Sequence, residues 1–381
     1  MRIVLVHDYL TQYGGAERVL AALHARYPES DVLTSLYRPG QLPQAFRYWS
    51  IRASGINRLP FVSRTHRLWL PFYPAIFGTL GRSIGQSAIV IADSSAWSHH
   101  AYPGPGVAFL CYCHSPARFL YGDREYLSAT RGHRLAGSLS RVAFGPYRWL
   151  DRRAARRVTR YIANSEAVAG RIERAYGITA AVVYPPVDVE RFRPARDLTP
   201  EDWFLVVSRL VPHKWIERAV RGGTASGHHL KIIGEGRALA ELTRLAGPEV
   251  EFLGALPDAD VVDHMQRCRA LILPGVEDFG MTAVEAQAAG RPVIAARGGG
   301  ALETVRDGET GLFFDPDDDA SLPEAMAAIF ARSWNTGLIL ENAARFAPER
   351  FVEGMEEQIQ LALATTTRGG PETAGTSSAR P

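Results

Sequence analysis

Short apolar runs alternate with longer segments of helical periodicity along almost the whole chain. Arg2-Ile3-Val4-Leu5-Val6-His7-Asp8 reads as a buried first strand, and beyond Gly14-Gly15 the pattern becomes that of a helix from Ala16 to about Arg26. Further strands are expected at Val32 to Tyr37, Ala88 to Ala92, Val107 to Cys113, Tyr161 to Ala163 and Ala181 to Tyr184. The segment 41–84 mixes aromatic residues, arginine and proline, and is read as helices and loops on an outer face. A second series opens with strand Trp203 to Ser208, helix Ile216 to Arg221, strand Leu230 to Ile233 and helix Arg237 to Leu245. Strand Val250 to Leu253, helix Ala259 to Cys268, strand Ala270 to Leu273 and helix 281–289 continue it. Strand Val293 to Ala296 and helix Leu322 to Ala331 close the series, and a last helix from about Glu349 to Ala364 follows.

This alternation predicts an α/β protein with parallel sheets. Pro185-Pro186 and the Arg-rich run to Pro200 interrupt it like a linker. The expected division is therefore an N-terminal Rossmann-like domain over 1–190, a second over 191–347, a helix over 348–365 and a disordered tail over 366–381. Two doubly wound domains in sequence put the carboxyl ends of their strands at a shared crevice, where open α/β sheets bind ligands. The final helix is placed to cross back over the boundary.

Charge divides the chain more sharply than its formal net of +3 suggests. Residues 1–195 carry 25 arginines and no lysine against 12 acidic residues, whereas residues 196–381 carry 18 basic against 28 acidic. A basic half suggests an anionic partner, and an Arg-rich but merely solvated surface is the alternative. Arg148, Arg152, Arg156 and Arg160 would form one stripe beside Tyr147 and Trp149 if their segment were a continuous helix, which suits an anionic membrane surface. No recognition motif for nucleic acid accompanies the charge. No apolar run reaches the length of a membrane span, and the first residues do not form a signal peptide, so a cytoplasmic location is expected. Cys111, Cys113 and Cys268 fit no zinc spacing and are expected in the core of a protein from a reducing compartment.

Candidate chemistry gathers at the carboxyl ends of the predicted strands. Glu277-Asp278-Phe279-Gly280-Met281-Thr282-Ala283-Val284-Glu285 sets a carboxylate on each side of a loop-to-helix junction. The amides of Phe279, Gly280 and Met281 would lie free at the helix N-terminus and favour a phosphate, while Glu285 could accept from a diol. An acidic helix start is the plain alternative. Lys214 and Lys231 are the only lysines beside 41 arginines. A compact ammonium at Lys214, on the same loop as Arg209, suits point contact with a diphosphate, whereas Lys231 is expected to face solvent. His114 follows the strand ending in Cys113 and could hold a sugar hydroxyl. Gly14-Gly15 and Gly234-Glu235-Gly236 would let backbone approach a ligand closely. Gly14-Gly15-Ala16-Glu17 lacks the dinucleotide fingerprint, which argues against an oxidoreductase.

These residues give the chain its family likeness. From Arg2 to about Ala364 it resembles the retaining GT-B glycosyltransferases of family 4, through His7-Asp8-Tyr9 with Gly14-Gly15-Ala16-Glu17-Arg18, Ile162-Ala163-Asn164-Ser165 and Tyr184-Pro185-Pro186-Val187-Asp188. Ser208-Arg209-Leu210 with Lys214, Glu277-x7-Glu285, Gly298-Gly299-Gly300-Ala301-Leu302-Glu303 and Gly308-Glu309-Thr310-Gly311-Leu312 complete the pattern. Within that family it looks most like bacterial mannosyltransferases that use GDP-mannose on lipid-linked or cell-envelope glycans. The resemblance implies that Arg209 and Lys214 bind the donor diphosphate, Glu277 the hydroxyls of the transferred sugar and Glu285 the ribose diol. It places the amides of Phe279 to Met281 on sugar and phosphate, Gly15 against donor and acceptor, and His114 near the anomeric carbon; no metal is implied, and Gly234 and Gly236, at the end of the strand Leu230 to Ile233, are expected in the donor site by their position. Trp215 departs from the pattern, since many relatives have Gly after the lysine. The competing readings are a UDP-sugar-dependent transferase, a sugar-nucleotide epimerase on the same architecture, and a glycan- or membrane-binding subunit without activity.

Overall fold

The computed structural model describes residues 2–59, 62, 66–85, 88–122, 144–194 and 198–368. Two parallel sheets organise them. The first comprises β1 (Arg2–His7), β2 (Asp31–Thr34), β3 (Ile51–Ala53), β4 (Ala88–Ser94), β5 (Phe109–Cys113), β6 (Arg160–Ala163) and β7 (Ala181–Val182), in the order β3-β2-β1-β4-β5-β6-β7. The second comprises β8 (Trp203–Val207), β9 (His229–Ile233), β10 (Val250–Gly254), β11 (Ala270–Leu273), β12 (Val293–Ala296) and β13 (Gly311–Phe314), in the order β10-β9-β8-β11-β12-β13. Central strands read as continuous apolar runs because helices cover both faces. In β1 every residue from Ile3 to His7 is buried, and all of β11 and β12 is buried.

Each sheet reverses direction next to its first strand. β1 lies between β2 and β4, and β8 lies between β9 and β11. These are the switch points at which loops from neighbouring strands part and leave a crevice. In register His7 pairs with Asp93 at the end of β1 and β4, so two ionisable groups arrive together at the first switch point.

Several expectations need correction. β3 and β13 were not anticipated: β3 is three residues long with an arginine in its middle, and β13 starts inside the glycine-containing turn of a motif. The helices Glu166–Tyr176 and Thr336–Ala344 were also unread. The segment 41–84 is not confined to an outer face, since Phe46, Tyr73 and Phe77 are fully buried. The arginine stripe is broken. Its helix ends at Ala155, and Arg160 belongs to β6, where its guanidinium donates to Gln358 Oε1 at 3.0 and 2.7 Å. Asp151 on that helix turns inward, with its Oδ1 3.0 Å from Nε2 of both His99 and His100. Lys231 does not simply face water, because its Nζ lies 4.2 Å from the centre of the Trp203 ring. The three cysteines are buried thiols.

The helix Pro348–Arg368 follows the second sheet in sequence but packs on the first. Phe351, Met355, Ile359 and Ala362 join a core with Leu5, Leu20, Ile91 and Tyr112. Their i, i+4, i+8, i+11 spacing is one apolar helical face. Residues 366–368 continue this helix, and the rest of the tail expected to be disordered lies outside the described residues.

Candidate active site

At the first switch point a buried carboxylate joins two imidazoles. Asp93 Oδ2 lies 2.8 Å from His7 Nδ1, and Asp93 Oδ1 lies 2.5 Å from His114 Nε2. Burial alone would lower the His7 pKa, but hydrogen bonds and charge from Asp93 and Glu17 outweigh it and raise the value to about 10. Burial likewise pushes Asp93 up, and the facing histidines outweigh it and lower its pKa. His114 is thus oriented from behind by a charged group. Beside it, Asp8 accepts the amides of Ser95, Ala96, Trp97 and Ser98 at 2.7 to 2.8 Å, which fixes the loop after β4. Glu17 accepts the Gly14 amide at 2.8 Å and closes the turn after β1.

The second switch point carries the lysine and the first carboxylate of the Glu-x7-Glu pair. Lys214 Nζ donates to both Glu277 Oε1 and Oε2 at 2.6 Å. Arg209 reaches across the crevice, with Nη1 3.3 Å from Gln12 Oε1. Gly234 and Gly236 lie under this loop: an added Cβ would meet Ser208 O at 1.9 Å and Leu210 O at 2.2 Å. Their role in the structure is therefore to seat the loop that carries Arg209. His213 is pushed down to about 4, first by burial and then by Lys214, Arg118 and Arg209, so it is neutral at pH 7.

The segment between the two carboxylates joins the two halves of the molecule. Gly280 takes φ +86°, a turn that suits glycine, and the helix Met281–Ala288 starts after it. Among the described residues, the amides of Phe279, Gly280 and Met281 find no backbone acceptor. Met281 Sδ faces Gly15 across the crevice, where a Cβ would come within 3.2 Å. Glu285 is buried and paired with Arg18, and Asp278 is held by both Arg118 and Arg171. Burial pushes Asp278 up, yet the two guanidiniums outweigh it and lower its pKa. Ser165 Oγ donates to Asp278 O at 2.6 Å, and Glu303 accepts the amides of Glu166 and Ala167 at 2.8 and 3.1 Å.

His114 thus sits on Asp93 at the first switch point and Lys214 on Glu277 at the second, while Arg209 with Gln12, Glu285 with Arg18 and Met281 with Gly15 meet between the two halves of the chain. Both carboxylates of the Glu-x7-Glu pair are held by cations, Glu277 by Lys214 and Glu285 by Arg18. Sequence reasoning overlooked Asp93, Asp278, Arg118 and Arg171. Asp93 left a signal, an acidic residue directly after the apolar run Ala88 to Ala92 and so at the carboxyl end of β4; the other three are distant in sequence and meet only through the fold.

Comparison with known proteins covers most of the chain. A family model described as Glycosyltransferase Family 4 matches residues 13–191, and one described as Glycosyl transferases group 1 matches residues 188–346. A GDP-mannose-dependent alpha-(1-6)-phosphatidylinositol monomannoside mannosyltransferase of Mycolicibacterium smegmatis is 27% identical over 86% of this chain and 89% of its own. A D-inositol 3-phosphate glycosyltransferase of Acidothermus cellulolyticus is 32% identical over 48% of each chain. Among solved structures, Anabaena HepE in complex with UDP superposes with a TM-score of 0.67, at 20% identity, over 95% of this chain and 100% of its own. The sucrose-phosphate synthase of Thermosynechococcus elongatus gives 0.73 at 17% identity, over 96% and 100%.

The raised pKa of His7 has a signed consequence. Its unfolded value is about 6.5 and its folded value about 10, so the charged pair stabilises fully below pH 6.5 and its contribution is lost as pH rises through 10. The denaturant midpoint is expected to fall between pH 7 and pH 10, and the fall should be smaller in His7→Gln. Parallel midpoint curves for the two proteins over that window would contradict the pairing.

Proposed function

We propose that this chain, which belongs to the GT-B glycosyltransferases of family 4 and group 1, transfers mannose from GDP-mannose to a glycan or lipid-linked glycan with retention of configuration. The observation that carries the site assignment is the Lys214–Glu277 pair at the second switch point, 2.6 Å on both oxygens, with Arg209 beside it. It puts cations for a diphosphate and a carboxylate for sugar hydroxyls within one contact of each other. The choice of GDP-mannose is supported by the mannosyltransferase relative that aligns over 86% of the chain.

In this reading a donor exchanges partners with the two ion pairs. Its diphosphate takes Lys214 and Arg209, releasing Glu277 to the hydroxyls of the sugar; its ribose takes Glu285, displacing Arg18. The amides of Phe279, Gly280 and Met281 and the N-terminus of their helix face the remaining negative charge. Gly234 and Gly236 hold the Arg209 loop at the donor, and Gly15 leaves room for donor and acceptor. His114, braced by Asp93, contacts the sugar beside its anomeric carbon. The anomeric carbon–phosphate oxygen bond breaks as the acceptor oxygen bonds on the same face, and the acceptor proton passes to the departing phosphate oxygen. Arg209 and Lys214 meet the charge that develops on that oxygen, which makes a metal unnecessary.

A lipid-linked acceptor is supported by one surface feature. Trp149 is 62% exposed and sits among exposed Arg152, Arg153, Arg156 and Arg157 on the first domain. No helix of the described residues is long and apolar enough to cross a membrane, and the proposed contact is a peripheral one through this basic surface.

Three measurements test these statements. Thermal stabilisation should be greater with GDP than with UDP or ADP at equal concentration, because binding to the native state raises its stability by mass action; greater stabilisation by UDP would overturn the choice of donor. Lys214→Ala, assayed with EDTA present, should lower turnover about 10²–10³-fold, whereas near-normal turnover at saturating donor would remove the lysine from the reaction. The double reversal Arg152→Glu with Arg156→Glu should abolish sedimentation with phosphatidylglycerol vesicles at low salt, and unchanged sedimentation would argue against membrane contact.

A further inference from the structure

A cavity of about 250 Å³ lies where residues of both sheets' loops meet, and none of the donor contacts above lines it. Ser115, Trp215 and Val276 in its wall are the chain neighbours of His114, Lys214 and Glu277, which places the cavity next to the Lys214–Glu277 pair. Arg118, Arg171 and Arg174 also line it, and none of the described lining residues is acidic. Asp278 fixes two of these guanidiniums from outside the lining, and Arg174 lies one helical turn beyond Arg171 on the helix Glu166–Tyr176. Its volume is below the 300–1,000 Å³ typical of drug-sized ligands, which suits a single ring better than an extended chain.

The wall also contains a backbone outlier. Trp215 has φ +54° and ψ +32°, and among the described residues no other non-glycine has positive φ. A left-handed conformation is unfavourable for a large side chain, and strain of this kind persists where the surroundings impose it. The indole is held there by Arg218, whose guanidinium lies 4.2 Å from the ring centre. Tyr121 supplies a second aromatic surface to the same cavity.

Building on the transferase reading, we propose that this cavity is the acceptor subsite and takes a phosphate-bearing sugar or polyol ring. The guanidinium of Arg174, with those of Arg118 and Arg171, receives the phosphate, since planar forks match its oxygens. Trp215 and Tyr121 receive the apolar face of the ring and turn one hydroxyl toward the anomeric carbon. The strain at Trp215 is then retained because the ring is needed at that point.

The test is calorimetric titration of the full chain, saturated with whichever of GDP and UDP it binds, using glucose 6-phosphate, glucose, and phosphatidylinositol or phosphatidylcholine vesicles. A phosphate-bearing probe should bind at least about tenfold more tightly than its neutral counterpart. Arg174→Glu should weaken that binding by at least about tenfold and leave nucleotide affinity unchanged. Trp215→Gly should lower the affinity for the same probe while leaving the thermal midpoint unchanged or raised, because glycine adopts this φ without strain. Binding of phosphatidylinositol but not glucose 6-phosphate, with the same Arg174 dependence, would support the site and identify the phosphate as a lipid headgroup. Equal affinity for charged and neutral probes, indifference to Arg174→Glu, or a lower midpoint in Trp215→Gly without loss of probe affinity would overturn the proposal. Failure of nucleotide to bind at all would instead refute the donor reading, so the two failures are distinguishable.

Discussion

The grip of Arg118 and Arg171 on Asp278 is the contact on which the geometry of the crevice depends. Both guanidiniums come from the first half of the chain, and the carboxylate sits inside the segment that carries Glu277 and Glu285. Removing one member of this part-buried ion cluster leaves the others partly desolvated with less compensation, a change costlier than losing a fully exposed pair. Ser165, donating to the carbonyl of the same aspartate at 2.6 Å, and Glu303, accepting two amides of the facing helix, make the attachment directional. The loop that would hold a nucleotide sugar is therefore positioned partly by the opposite domain.

In the proposed reading that arrangement joins donor and acceptor contacts in one piece of backbone. Glu277 and Asp278 are consecutive, yet one faces Lys214 in its own domain and the other faces the arginines of the neighbouring domain. A shift of Asp278 would move Glu277 with it. Two further cations are paired at the crevice, Lys214 with Glu277 and Arg18 with Glu285. In the proposed reaction these cations are then in place for phosphate charge that grows as the bond breaks. Interactions that strengthen in the transition state accelerate the chemistry, whereas equal binding throughout does not.

Much of this was legible in the sequence, for reasons tied to particular residues. The apolar runs of β1, β8, β11 and β12 are continuous because those strands are central, so the two-sheet architecture could be read from them. Arg209, Lys214, Glu277 and Glu285 lie at strand ends or on the helix that follows, where position along the chain predicts position in the crevice. The partners of the carboxylates could not be read in that way. Arg18 and Glu285 are 267 residues apart, and Arg118 and Asp278 are 160 apart. Periodicity carries information over one element and is silent on which loops meet across a crevice. It also misled at Arg160, where a basic spacing of four suggested a helix although Tyr161-Ile162-Ala163 already belonged to a strand. The departure at Trp215 was visible as an unusual residue, but its left-handed backbone and its place in a cavity wall required the structure.

The decisive measurement is a crystal structure of the chain with an intact nucleotide sugar. It should show the diphosphate on Arg209 and Lys214, sugar hydroxyls on Glu277, and the ribose diol on Glu285 with Arg18 displaced. A nucleotide bound elsewhere, with the Lys214–Glu277 and Arg18–Glu285 pairs both intact, would contradict the proposed donor site.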